Sequence, residues 1–135
     1  MQVDGILFVD GASLGNPGEG GCGIILKDGE GRLLYFGGEY LGRVTNNQAE
    51  YMALIRGLEE AHRRGCNAIL VLTDSELLVR QINGEYKVRD QKLQVLYEKV
   101  KTLLRNFPQW EIKHVEREKN READKLAKKA AQRKL

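Results

Sequence analysis

An apolar run, Ile6-Leu7-Phe8-Val9, stops on a carboxylate, Asp10, and five glycines and a proline follow within eleven residues. So continuous a run predicts a strand covered on both faces. The glycines predict a loop that lets something approach the strand end closely. An aspartate at the mouth of a core strand is costly to leave unpaired. A second continuous run, Ala68 to Thr73, stops in the same way on Asp74. A chain built like this has to set two central strands into one sheet and find partners for the two charges at their ends.

The rest of the chain supplies the frame. Val3 to Asp10 is the expected first strand. Gly21 to Lys27 and Arg32 to Leu41 flank Asp28-Gly29-Glu30-Gly31, a hairpin signal. Thr45-Asn46-Asn47 offers N-caps for a helix running to about Arg64, which Gly65 ends. Ser75 to Ile82 and Gln91 to Asn106 are expected as helices, and Trp110 to Val115 as the last strand. Asn120 is expected to cap a C-terminal helix whose buried stripe is Ala123, Leu126, Ala127, Ala130 and Ala131. Three strands, a helix, a strand, two helices, a strand and a helix predict an α/β fold, a mixed sheet with helices on its faces. The two most apolar strands should lie side by side and parallel at its centre. Ligands bind beyond the carboxyl ends of such strands.

Bulk properties exclude other classes. The 135 residues fit one domain spanning 1–135. With 41% hydrophobic and 30% charged residues the chain is neither disordered nor membrane-embedded. A formal net charge of +3 is compatible with an anionic partner. Two cysteines, Cys22 and Cys66, are too few for a disulfide scaffold and are expected as reduced core thiols. No leader pattern and no run of membrane length is present, so a cytoplasmic protein without a membrane partner is expected. Nothing in the pattern suggests a large apolar surface, and a monomer is the expected state.

Two further acids border apolar surface. Glu50 is expected in the first turn of its helix, with Leu54, Gly57 and Ala61 following it along the inward face. Asp124 lies near the start of the last helix, followed by Ala127 and Ala131. A strand-end aspartate often caps a helix, and a first-turn acid is often only a dipole partner. Four such acids directed at one crevice instead suggest a site for hard divalent cations, which take oxygen ligands. Two such ions roughly 3.5–4 Å apart can activate water and stabilise a leaving oxygen in phosphodiester cleavage. Two scattered histidines and two scattered cysteines do not make a zinc site. Gly15-Asn16-Pro17-Gly18 lacks the Gly-Lys-Ser/Thr of a nucleotide-binding loop.

Four segments, Asp10 to Gly18, Thr45 to Glu50, Leu72 to Ser75 and Asn120 to Asp124, resemble in order the signature motifs of ribonuclease H, type 1. The resemblance implies a five-stranded mixed sheet of order 3-2-1-4-5. It implies cleavage of the RNA strand of RNA/DNA hybrids, leaving 5′-phosphate and 3′-hydroxyl ends. It makes Asp10, Glu50, Asp74 and Asp124 the catalytic acids that bind two Mg²⁺ ions, with Mn²⁺ as a substitute. Asp10 would bridge both ions, Asp74 and Glu50 would serve the ion of the nucleophilic water, and Asp124 the other. Asn16, Asn46, Asn47 and Gln48 match positions that read the minor groove of the hybrid. Amides suit the 2′-hydroxyl, which both donates and accepts. Arg43 and Thr45 match positions near a DNA-strand phosphate, and Gly11 and Ser13 are expected to make backbone contacts to the RNA.

Three departures stand out. The glycine-rich histidine loop of many relatives is replaced by Glu116-Arg117-Glu118-Lys119, which leaves Arg117 or Glu118 to assist. His114 is expected as a packed strand residue and His62 as solvent-facing. No long basic insertion lies between Asp74 and the last strand, so Lys87, Arg89 and the following helix are smaller substitutes, and affinity should depend on salt. Glu76 stands where relatives often carry an RNA-contacting glutamine, and would repel phosphate unless a base offsets it. Lys125, Lys128, Lys129 and Arg133 are expected as a solvated helix face. The alternatives are a silent hybrid-binding module or a two-metal nuclease acting on double-stranded RNA or DNA. A fragment of a reverse transcriptase is disfavoured by the start at Met1.

Overall fold

The computed structural model describes residues 2–134. It contains strands β1 (Gly5–Ser13), β2 (Gly18–Lys27), β3 (Leu33–Val44), β4 (Ala68–Thr73) and β5 (Gln109–His114). The helices are α1 (Asn46–Arg63), α2 (Glu76–Ile82), α3 (Gln91–Leu104) and α4 (Arg121–Ala131), the last entered through a 3₁₀ turn at Arg117–Asn120. The sheet order is β3-β2-β1-β4-β5. β1 is antiparallel to β2 and parallel to β4, so the two apolar runs do lie side by side.

Close backbone approaches set the two helical layers. Leu7 and Val9 of β1 are buried under α1. A Cβ at Gly57 of α1 would stand 2.8 Å from Leu7 Cδ2 and 2.9 Å from Val9 Cγ1, so the helix rests directly on the strand. On the other side, α4 lies on β2. A Cβ at Gly23 would stand 2.0 Å from the Ala123 carbonyl oxygen, and one at Gly21 2.4 Å from Ala131 N. Ala123, Ala127, Ala130 and Ala131 form the buried stripe that fits those glycines, whereas Leu126 is only half-buried.

Several boundaries differ from the sequence expectation. β1 does not stop at Asp10. Its ladder with β4 ends at Phe8 and Leu72, but its ladder with β2 continues through Asp10 opposite Gly23 to Ser13. The expected glycine loop thus shrinks to residues 14–17, the rest being strand, and two of its glycines, Gly11 and Gly21, meet helix backbone. Glu50 is the fifth residue of α1 and sits in the second turn, not the first. Thr45 and Gln48 form a reciprocal capping box ahead of it. His114 is exposed rather than packed: alternation gives it the face of half-buried Trp110 and buried Ile112, but it is the last residue of this edge strand and the cover stops short of it. His62 is solvent-facing as expected, edge-on to Phe107. Among the described residues no helix is long and apolar enough to cross a membrane.

Candidate metal centre

Beyond the last β1–β4 pair the two strands part, and Asp10 and Asp74 occupy the opening. Glu50 reaches it because α1 presses onto β1 beside Asp10. A Cβ at Gly11 would stand 2.2 Å from the Ala49 carbonyl carbon. That approach brings the Gly11 N–H to Glu50 Oε1, to which it donates. One oxygen from each of Asp10, Glu50 and Asp74 lies within 4.8 Å of the others. Asp124 enters from the first turn of α4 and shares a hydrogen bond with Asp10, but stands outside that mutual triad.

Burial dominates the electrostatics. It pushes Asp10, which is 4% exposed, far above the ordinary carboxylate range, and the negative charge of Glu50 adds to the shift. Burial also raises Glu50, against the lowering hydrogen bond from Gly11 N–H. At Asp124 burial again acts upward, but hydrogen bonds from Asp10 and Lys128 outweigh it and the group is held below its usual value. Burial and mutual repulsion thus work against the ionised forms of Asp10 and Glu50, a cost that a nearby positive charge would offset. An all-oxygen donor set with this excess of negative potential fits a hard divalent ion.

Two cations border the acids. Lys128 Nζ is 3.1 Å from Asp124 Oδ2, and Arg117 Nε is 3.6 Å from Asp74 Oδ2. Lys128 is therefore not simply part of a solvated face. Its signal in the sequence is its position four residues after Asp124, which on a helix puts the two side chains together. Of the two candidates to replace the histidine, Arg117 lines the acid cleft, and Glu118 lines a neighbouring one. Glu76 is offset by Arg80, whose Nε is 2.9 Å from its Oε1.

The residues expected at the substrate divide between two concavities. Gly11, Ser13, Asn46 and Asn47 line the acid cleft, of about 350 Å³. The Gly11 N–H is taken by Glu50, and the Ser13 hydroxyl donates to the Val44 carbonyl at 2.9 Å and also contacts Gly15 O. Gly11 therefore has no backbone donor left for a ligand; its absent side chain is what the site uses. Arg43, Thr45 and Gln48 line a second groove of about 580 Å³ with Pro17 and the start of α3, Asp90 to Lys92. Asn16 stands between the two, its Oδ1 accepting from Asn46 N at 3.1 Å. The contribution of Asp90 and Gln91 carries no local signal, since α3 lies more than forty residues beyond Thr45 in sequence.

A family model described as reverse transcriptase-like matches residues 8–130. Ribonuclease HI of Halobacterium salinarum is 42% identical over 123 residues, which cover 91% of this chain and 62% of that protein. The crystal structure of RNase H1 from the same archaeon superposes with a TM-score of 0.93 at 40% identity, covering 96% of this chain and 98% of the other. LC11-RNase H1, solved in complex with an RNA/DNA hybrid, superposes with a TM-score of 0.90 at 37% identity, covering 96% of this chain and 97% of the other. The chain spans 62% of the length of the first curated relative and 34% of that of the mycobacterial relatives that follow.

Proposed function

The chain belongs to the type 1 ribonuclease H family, and we propose on that premise that it hydrolyses the RNA strand of RNA/DNA hybrids. Water adds across the P–O3′ bond, leaving a 5′-phosphate and a 3′-hydroxyl. The observation that carries this reading is the carboxylate triad within 4.8 Å beside a cleft lined by Asn46 and Asn47. Asp10, Glu50 and Asp74 would hold one Mg²⁺ or Mn²⁺, with Asp10 and Asp124 facing a second. When bound, the ions supply an activated water and stabilise charge on the phosphate.

The chain's own residues supply orientation. Asn46 and Asn47, at the exposed start of α1, present amides to ribose 2′-hydroxyls, with Asn16 at their flank and Gln48 behind them. Arg43 and Thr45 hold a DNA-strand phosphate in the second groove, where Lys92 adds positive charge. Gly11 and Ser13 keep the floor of the cleft low, so that a backbone can lie across the acids. Arg117, on the 3₁₀ turn at the cleft rim, balances Asp74 and is placed to meet phosphate oxygens. We take the enzyme to be a cytoplasmic monomer whose catalytic domain is residues 1–135.

The test is cleavage of an end-labelled RNA/DNA hybrid beside matching double-stranded RNA and DNA, with Mg²⁺, Mn²⁺ or chelator. Cutting confined to the RNA of the hybrid, stopped by chelator and lost in Asp10→Asn, is expected. Equal cutting of DNA duplexes, or full activity in Asp10→Asn, would overturn the reading. Binding of hybrid with no cutting under any metal would leave a silent binding module.

A further inference from the structure

We propose that Asn120 is a positioning residue of the metal centre, whose side-chain amide ties the parted ends of β1 and β4 and fixes which oxygen of Asp74 faces the cation. The proposal rests on the reading of Asp74 as a metal ligand.

Asn120 is 1% exposed and stands at the entry to α4, four residues before Asp124. The sequence suggests a helix cap, yet its side chain makes no capping hydrogen bond. It turns instead towards the sheet. Nδ2 donates to the Val9 carbonyl at 2.9 Å and to Asp74 Oδ1 at 3.3 Å. Val9 immediately precedes Asp10, so one amide joins the mounts of three acids: Asp10 on β1, Asp74 after β4 and Asp124 on α4. It sits where the backbone ladder has ended, since the last β1–β4 pair is Phe8 with Leu72. A side-chain donor thus takes over from the ladder at the point where the strands must part to make room for a site.

The orientation of the amide is not arbitrary. Both partners of Nδ2 are pure acceptors, so an inverted amide would set oxygen against two oxygens. Its Oδ1 is buried and has no hydrogen-bond partner. Keeping a buried acceptor unsatisfied and leaving the helix without a side-chain cap are each unfavourable. What the arrangement provides is a donor to Asp74. With Oδ1 engaged by Asn120, Oδ2 is the oxygen turned to the cleft, where Arg117 lies 3.6 Å away. Partners of this kind orient metal ligands, and their removal typically costs about 10–100-fold in metal affinity or activity.

The experiment compares the unmodified chain with Asn120→Ala and Asn120→Asp. Calorimetric titration with Mn²⁺ alone, without nucleic acid, reads metal affinity. Steady-state cleavage of a hybrid reads kcat and KM, and melting in chelator reads the fold. Expected for Asn120→Ala are an Mn²⁺ affinity reduced roughly 10–100-fold and a kcat reduced by a similar factor, with KM for the hybrid changed less than about threefold. Asn120→Asp, which sets a carboxylate against Asp74 and the Val9 carbonyl, should lose more. Should both variants fail to fold, ¹H–¹⁵N spectra of the unmodified chain decide: the Asn120 side-chain pair should shift on Mg²⁺ titration with the midpoint of metal binding. Mn²⁺ affinity and kcat unchanged in folded Asn120→Ala, whatever its melting temperature, would overturn the proposal alone, as would an Asn120 signal unmoved by Mg²⁺. No Mn²⁺ binding by the unmodified chain would overturn this proposal together with the metal-centre reading.

Discussion

Asp10→Asn should stabilise the metal-free protein while abolishing activity, and the size of the gain follows from the geometry. Three carboxylate oxygens within 4.8 Å repel by about 3.5 kcal/mol per pair at an effective dielectric constant of about 20. The folded chain avoids this by keeping a proton on Asp10, whose pKa burial raises far above its unfolded value of about 3.9. Holding that proton at pH 8 costs up to about 5.6 kcal/mol relative to the ionised unfolded state, at about 1.36 kcal/mol per pH unit. An amide of the same shape needs no proton. Its NH₂ can donate to Asp124 in the hydroxyl's place, but its carbonyl oxygen still faces the other carboxylates and stays buried, so roughly half the maximum, about 2–4 kcal/mol, is the expected gain. For a chain of 135 residues this is an increase in Tm of about 6–15 °C. The sign with pH is fixed. Asp10 and Glu50 are raised in the fold, so between the unfolded carboxylate pKa and their folded values the native state binds more protons. Stability of the metal-free parent therefore falls as pH rises from about 5 to 8. Calorimetric melts in chelator at pH 5.5 and 8 should show that fall in the parent and much less of it in Asp10→Asn. Mg²⁺ at pH 8 should restore the parent and leave the variant nearly unmoved. A variant less stable than the parent at pH 8 in chelator, or equally stabilised by Mg²⁺, would refute the reasoning.

Arg117→Ala should lower kcat about tenfold, the worth of one charge-assisted hydrogen bond to phosphate, with Tm unchanged because the side chain is exposed; Glu118→Ala should keep full turnover. Gly23→Ala drives a Cβ into the Ala123 carbonyl, and with backbone on both sides it should cost about 2–3 kcal/mol or more, read as a lower urea midpoint. Lys87→Ala and Arg89→Ala, in the exposed segment before α3, should each weaken hybrid binding a few-fold. Each should also flatten the plot of log Kd against log salt by about one unit for every phosphate left without its cation.

What the sequence determined by itself is what short-range pattern can encode. Two continuous apolar runs dictate two adjacent central strands, and the aspartate ending each run lands in one opening because those strands pair in parallel; the expected cover on both faces is only partial, since Ile6, Phe8, Leu70 and Leu72 on the face away from α1 are half-buried. Asp28-Gly29 dictates the β2–β3 turn, and Thr45 with Gln48 dictates where α1 begins. Glu50 is inward-facing because Leu54, Gly57 and Ala61 are. The tertiary structure decided matters that belong to pairs of distant segments. β1 runs on past Asp10 because β2 lies opposite, not because of any residue in β1. Gly21, which in isolation signals a loop, and Gly23 after it are where the backbone of α4 meets the sheet; Gly11 is where α1 does, and its N–H meets a carboxylate 39 residues away. Asn120 reads locally as a cap, yet its donor is drawn to a carbonyl 111 residues earlier. Local preference is a property of one stretch of chain. Close approach and hydrogen-bond choice are properties of two, and only the assembled sheet brings the second within reach.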